Sequence, residues 1–374
     1  MQQFLMPGIA GLACLLLAVD SSTGAYLESD GGHDDRRPLE IVHPPVPLPR
    51  PMPESANPVS DLIRRLEVCS PYRHGGLTVF PLRVRRASSM DEIRTLDEAI
   101  RNDWIVVREK REAAVCELQV RNDSQHIVFL MAGEIVAGGR QNRILREDVL
   151  LAPESGFVNI PVYCVEQDRW AGKSERFTSA VSMAHQELRR SAMSGASQDS
   201  IWLAASAKAA SAGVSSQTRN YQDIYDDRRV KRQIDNAVSR FDRVMSRDTV
   251  GAVSVIGNRI VVCDLFGDPR LFSRLWGKLC RSYALEDIAA IDTTSGRWRD
   301  HTFEITVRDV ERFLSGALGA EYAKRPSPSA GRTLQISGAV TGAAILWDSE
   351  AVHAVLFPGF GVEPMPMRRG VILE

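Results

Sequence analysis

Apolar positions along this chain recur with two different periods, and the change of period divides it into regions. Residues 76–83, 104–108, 114–120, 126–131 and 149–165 hold short apolar runs between turn formers, which predicts strands through most of the N-terminal half. Asn122-Asp-Ser, between two of those runs, predicts a hairpin turn. Thr95-Leu-Asp-Glu98 is a capping box: Thr95 covers free N–H groups of the first turn, Glu98 reaches back, and a short helix follows. From 174 to 247 the spacing becomes helical. Val181, Ala184 and Leu188 share one face, 201–212 is closed by Gly213, and Ile234, Val238, Phe241 and Met245 form an amphipathic stripe. The opposite face of that last helix carries Arg228, Arg229, Lys231, Arg232, Arg240, Arg243 and Arg247. Asp226, Asp227, Asp235 and Asp242 interleave them, as on a solvated face.

The C-terminal third returns to strand patterning. Segments 251–266 and 342–357 align without gaps over 16 residues, with five identities. Each predicts a β-hairpin. Asp268-Pro269 supplies an N-cap and first-turn proline for a helix through 271–283, and 310–318 predicts another helix before the second hairpin. An internal repeat and convergent hairpin chemistry both account for the likeness. The predicted class is α+β, with a β-rich N-terminal half, a helical middle and a C-terminal hairpin–helix–hairpin region.

The N-terminus follows another pattern. Phe4 to Val19 is uncharged and apolar, with Thr23 and Ala25 placed as small residues before Tyr26, so residues 1–25 read as a signal peptide. Residues 26–58 contain eight prolines and read as an extended tether. Residues 59–360 are expected to form one domain, followed by a tail at 361–374. The expected location is periplasmic or secreted, or cytoplasmic if the start codon is misassigned.

Composition narrows the function classes. A formal net charge of −1 leaves no overall field to draw the chain to nucleic acid or an anionic membrane. The apolar run near the start is short for a membrane span. Six cysteines without a CxxC pair suggest neither a disulfide framework nor a zinc site, and most lie in apolar runs as buried small hydrophobes. Trp202, Tyr221, Tyr225 and Trp276 are assigned to packing.

Two stretches could carry chemistry. In 133–144, paired glycines permit close backbone approach, Arg140 and Arg143 offer forked donors for phosphate or carboxylate, and Gln141 and Asn142 can read amide or hydroxyl edges. It is neither a dinucleotide fingerprint nor a P-loop. In 160–170, Cys164 and Glu166 share a strand face, so Cys164 is a thiol candidate with a nearby carboxylate. Glu134, Glu166 and Asp168 are candidates for acid–base work or for holding a divalent metal. Ion pairs to Arg140, Arg143 and Arg169 account for the same residues.

Gly133-Glu134, Gln141-Asn142-Arg143, Cys164-x-Glu166-x-x-Arg169-Trp170, then Asp264-x-Phe266 and Ser282-Tyr283, resemble a prokaryotic family. It is the first domain named for association with ADP-ribosylglycohydrolase and rhodanese/phosphatase-superfamily proteins. The likeness spans about 75–357. It implies a place in ADP-ribose- or NAD-linked metabolism and carries over no established activity. With it, the reading is a domain that binds or processes a phosphorylated nucleoside such as ADP-ribose. Glu134 and Glu166 would be its catalytic carboxylates, and Arg140, Gln141, Asn142, Arg143, Arg169 and Trp170 its ligand-binding set. The alternative is a non-catalytic extracytoplasmic module with a protein partner.

Overall fold

The computed structural model describes residues 57–110, 116–169, 176–288 and 304–359. The expected signal, nearly all of the expected tether, the tail and Trp170 lie outside the described residues. The chain is α+β, as its patterning implies.

A nine-stranded antiparallel sheet forms the base. Across it run Leu66–Val68, Leu77–Val84, Thr249–Ile256, Arg259–Phe266, Glu350–Pro358, Val340–Trp347, Arg332–Ser337 and Glu321–Arg325, with Tyr72–His74 also paired to Leu77–Val84. Both expected hairpins are present, and their inner strands pair with each other. Asp264 and Val355 hold the same place in the two similar segments, and they are also register partners. A local two-fold axis therefore passes through that pair. Outward from it each half contributes four strands in matching order, and a helix, Pro58–Arg64 or Val307–Leu318, precedes each set. The sequence likeness is thus an internal repeat in three dimensions.

The glycine opening each segment has a physical reason. A Cβ on Gly251 would lie 2.4 Å from the carbonyl oxygen of Asp264, and one on Gly342 would lie 1.9 Å from that of Val355. Gly342→Ala must push two paired backbones apart. It is expected to cost about 1–3 kcal/mol, read as a lower urea midpoint; an unchanged midpoint would show that the strands separate freely.

Strand alternation gives the sheet two faces. Phe80, Leu82, Val253, Cys263, Leu265, Ala354 and Leu356 pack under the two repeat helices. Leu77, Val79, Ala252, Val262, Phe266, Val355 and Phe357 face the long helix Pro269–Ile288 and the material inserted between strands Leu77–Val84 and Thr249–Ile256.

That insertion, 85–248, holds the stretches singled out for chemistry. It contains a six-stranded sheet in the order Thr178–Met183, Glu134–Ala137, Arg143–Leu145, Val158–Cys164, Glu117–Asn122, Ile105–Glu109. A three-stranded sheet runs Val149–Leu151, Ile127–Leu130, Ile93–Thr95. Helices Leu96–Arg101, Gln186–Met193, Gln198–Ser211, Gln222–Asp226 and Arg228–Phe241 also belong to it. The Thr95–Glu98 capping box forms as expected.

Two local expectations are corrected. Asn122-Asp-Ser is a turn, with the Asn122 amide donating to the carbonyls of His126 and Ala152, but it does not close a hairpin. Its flanking strands join different sheets, because Glu117–Asn122 pairs with Ile105–Glu109 and Val158–Cys164 instead. The helical spacing near Val181 is also misleading. Thr178–Met183 is a strand, Val181 stands exposed at a positive φ of 54°, and the helix carrying Leu188 begins only at Gln186.

Candidate functional site

The first cluster lies where the insertion meets the centre of the large sheet. Asp264, at the local axis, is fully buried and receives three donors. Arg189 Nη2 is 2.6 Å from its Oδ1, Tyr283 Oη donates to Oδ2 at 2.6 Å, and His353 Nε2 approaches at 3.2 Å. The other ring nitrogen of His353 lies 2.6 Å from Asp148 Oδ2, and Asp148 in turn accepts the N–H of Ala132. Both imidazole nitrogens face carboxylates, an arrangement that favours the imidazolium, in which both nitrogens donate. Two carboxylates then balance one imidazolium and one guanidinium inside the protein. Gly133 completes the fit: with φ at +92° it lets the Arg189 stem pass where a Cβ would lie 2.9 Å from Cγ. Arg189 Nε donates to Ala132 O.

Beside it stands a second buried ion group. Lys278, on helix Pro269–Ile288, donates to Glu134 at 2.6 Å and to Asp97 at 2.8 Å. Glu134 also accepts the N–H of Met131. Burial pushes the Glu134 carboxyl up, and Lys278 offsets this only in part. Burial opposes the charge on Lys278, but Glu134 and Asp97 outweigh it and hold the ammonium above its usual range. A raised carboxyl is what a general acid needs, yet Glu134 has 0% exposure and already spends both oxygens.

These shifts set a pH dependence. Burial pushes His353 down, but Asp148 and Asp264 more than reverse this, so its pKa sits above 6.5. Its contribution to stability is complete below 6.5 and is lost as pH rises through the raised value. Burial pushes Asp264 up, and Arg189 and His353 outweigh it, so its pKa falls below 3.8. That contribution is complete above 3.8 and is lost as pH falls through the lowered value. Urea denaturation across pH should therefore show greatest stability in mild acid and a fall on the alkaline side. His353→Gln should flatten the alkaline limb, and an unchanged limb would remove His353 as its cause.

The second cluster is the loop 138–143 and the chain that packs on it. Arg169 donates to the carbonyls of Gly139 and Gly138 at the head of the loop. There Glu109 Oε1 accepts from the Arg140 N–H at 2.9 Å and from Arg143 Nη2 at 3.2 Å. Gly139, at φ +53°, permits this approach, since its Cβ would lie 2.8 Å from that same carboxylate oxygen. Glu166 is paired with Arg169 at 2.7 Å and accepts from Thr218 and from the Asn142 N–H. Burial raises the Glu166 carboxyl, and the bonds from Arg169, Thr218 and Asn142 outweigh that, leaving it lowered. Asn142 bridges Gly138 N and Asn220. Gln141 donates to Gln167 O.

The structure thus divides the expected site. Arg140, Gln141, Asn142, Arg143, Glu166 and Arg169 come together around the loop, while Glu134 belongs to the junction with Lys278. Asp168 pairs outward with Arg219. Cys164 is fully buried, with its backbone N–H and carbonyl bound by the Gln198 amide. His126 packs against Trp104 and His185 bonds Tyr221, so neither imidazole is given to the thiol. Among the described residues, no group of three His, Cys, Asp or Glu is arranged to hold a metal, and no helix is long and apolar enough to cross a membrane.

Glu109, Asp148, Arg189, Lys278 and His353 were not singled out from the sequence. A signal did exist for two of them: Lys278 in LWGKLC and His353 in AVHAVLF are lone titratable residues within apolar runs, which implies a buried partner. A groove of about 670 Å³ lies elsewhere, on the repeat-helix side of the large sheet, lined by Ile63, Leu66, Val84, Leu314 and Leu318 with arginines at its rim. None of the expected site residues lines it.

The motif residues Gly133-Glu134, Asp264 and Ser282-Tyr283 converge on one junction, with Ser282 receiving the Gln186 amide and donating to Ala184 O. A family model, the ARG and Rhodanese-Phosphatase-superfamily-associated Protein domain (ARPP-1), matches residues 65–357. The chain belongs to the ARPP-1 family. The match covers both halves of the repeat and the whole insertion, so the ARPP-1 domain includes the junction and the loop alike. Neither the curated proteins nor the solved structures contain a match to this chain.

Proposed function

We propose that this ARPP-1 domain binds a ligand or partner and does not catalyse a reaction. One observation carries this reading: both carboxylates cast as catalytic are committed to buried ion pairs, Glu134 with Lys278 at 2.6 Å and Glu166 with Arg169 at 2.7 Å. A general acid or base must reach a substrate proton, and a carboxylate with 0% exposure, as Glu134 has, meets only protein. The junction is then a brace between insertion and sheet, and recognition falls to the loop at 138–143.

The family's name associates it with ARG and with the rhodanese–phosphatase superfamily, which favours a phosphorylated nucleoside of the ADP-ribose kind as the ligand. The uncharged apolar start at 4–19 and the proline-rich stretch after it favour a place outside the cytoplasm.

The test is incubation of the full chain with ADP-ribose, NAD and sugar phosphates, with and without Mg²⁺ or Mn²⁺. Product formation is followed by chromatography and binding by thermal shift. The reading expects no product, and a shift with a bound compound. Turnover that disappears in Glu134→Gln or Glu166→Gln would overturn it.

A further inference from the structure

Glu109 ends the edge strand Ile105–Glu109 of the six-stranded sheet and places its carboxylate on the loop. One oxygen receives a backbone N–H and a guanidinium, and the other lies 3.7 Å from Arg140 Nε. The backbone N–H of Arg140, beside the positive-φ Gly139, together with the guanidinium groups of Arg143 and Arg140, makes a seat for an anionic oxygen. The Arg143 side chain is 6% exposed, and its Nε is buried without a hydrogen-bond partner, as is Gln141 Oε1. Arg140 is 69% exposed, so the seat opens to solvent on that side.

We infer that the loop 138–143 is a receptor for a phosphate monoester, and that Glu109 is a resident competitor which the ligand displaces. Charge selects the ligand. Arg169 is neutralised by Glu166, so withdrawing Glu109 leaves two cations, Arg140 and Arg143, facing the seat. A phosphate monoester dianion matches two cations, whereas a single carboxylate leaves one uncompensated. Its three terminal oxygens also offer more acceptors than the Glu109 carboxylate, enough to take up the unused Arg143 Nε as well as the Arg140 N–H. The exchange is reversible ion replacement, with no bond made or broken in the ligand. This inference rests on the binding role proposed above and narrows its ligand to a nucleoside or sugar ester with a terminal phosphate, a class that leaves out ADP-ribose and NAD, whose phosphates are bridged at both ends.

The experiment titrates inorganic phosphate, ribose 5-phosphate, adenosine monophosphate and acetate into the full chain by calorimetry. The proteins compared are the unaltered chain, Glu109→Gln and the double variant Glu109→Gln/Arg143→Gln. Phosphate should bind Glu109→Gln about tenfold more tightly than the unaltered protein, acetate should gain less, and the double variant should lose the gain. Tighter binding of adenosine monophosphate than of ribose 5-phosphate would assign the source as a nucleotide, and the reverse order a sugar phosphate. If Glu109→Gln is unfolded in phosphate-free buffer, phosphate should restore its circular dichroism, because Arg143 then lacks its counter-ion. Equal phosphate affinity in folded Glu109→Gln and unaltered protein would overturn the inference. So would a gain that survives Arg143→Gln, or an unfolded Glu109→Gln that phosphate does not rescue. Turnover of a phosphate ester would instead overturn the non-catalytic reading and leave the seat intact.

Discussion

Asp264→Ala is expected to destabilise the protein by about 3–5 kcal/mol, the cost of leaving buried charges without their partner. The substitution removes the acceptor of Arg189, Tyr283 and His353 together. None of the three can turn to solvent, because Arg189, Tyr283 and His353 are all fully buried. Arg189 keeps one bond, to Ala132 O, and His353 keeps Asp148. The loss should appear in equilibrium denaturation and in earlier exchange of the amides along Arg259–Phe266 and Glu350–Pro358, the strands at the local axis. Asp264→Asn should cost less, since the amide oxygen still accepts one donor while the charge is gone. An Asp264→Ala protein as stable as the unaltered one would mean that the network is solvated in solution.

Lys278→Ala is the second large effect, again about 3–5 kcal/mol. It strands the Glu134 carboxylate, whose remaining partner is the N–H of Met131. Asp97 is less affected, being 23% exposed and hydrogen-bonded to Ser179. The carboxyl left behind takes up a proton more readily, so the defect should shrink as pH falls. Chemical denaturation at mildly acidic and neutral pH checks both parts. A defect that does not vary with pH would remove the Glu134 charge as its cause.

Much of the architecture was legible because it depends on local patterning. The hairpins at 251–266 and 342–357 declare themselves through alternation and turn residues, and the capping box at Thr95 through two side chains three residues apart. What failed was partner choice. Asn122 forms the expected turn, but the strands around it go to different sheets, and strand pairing is decided by burial against residues far away in the chain. Val181 stands at a helical spacing from Ala184 and Leu188, yet it lies within the strand Thr178–Met183, itself at positive φ where the register shifts, and the helix begins only at Gln186.

The site divides in the same way. The loop 138–143 was legible as a candidate for receiving an anionic group, because paired glycines permit close backbone approach and two arginines offer forked donors. Its occupant was not: Glu109 lies 31 residues before Arg140 and reaches it only through sheet order. Asp264 and His353 are 89 residues apart and meet because two hairpins pair about a local axis. Glu134 looked catalytic for want of its counter-ion, since Lys278 lies 144 residues further along.

The most direct measurement is a double-mutant cycle on Glu134 and Lys278, using Glu134→Gln, Lys278→Met and both together. Gln retains an acceptor for the Met131 N–H, so the cycle isolates the ion pair. Stability and turnover of the phosphorylated panel are followed in parallel. If Glu134 is a brace, each single variant loses stability and the double variant loses less than their sum, with a coupling above about 1 kcal/mol. No variant then changes a turnover that is absent from the start. A fully stable Glu134→Gln protein that loses a measurable turnover would contradict this and return Glu134 to catalysis.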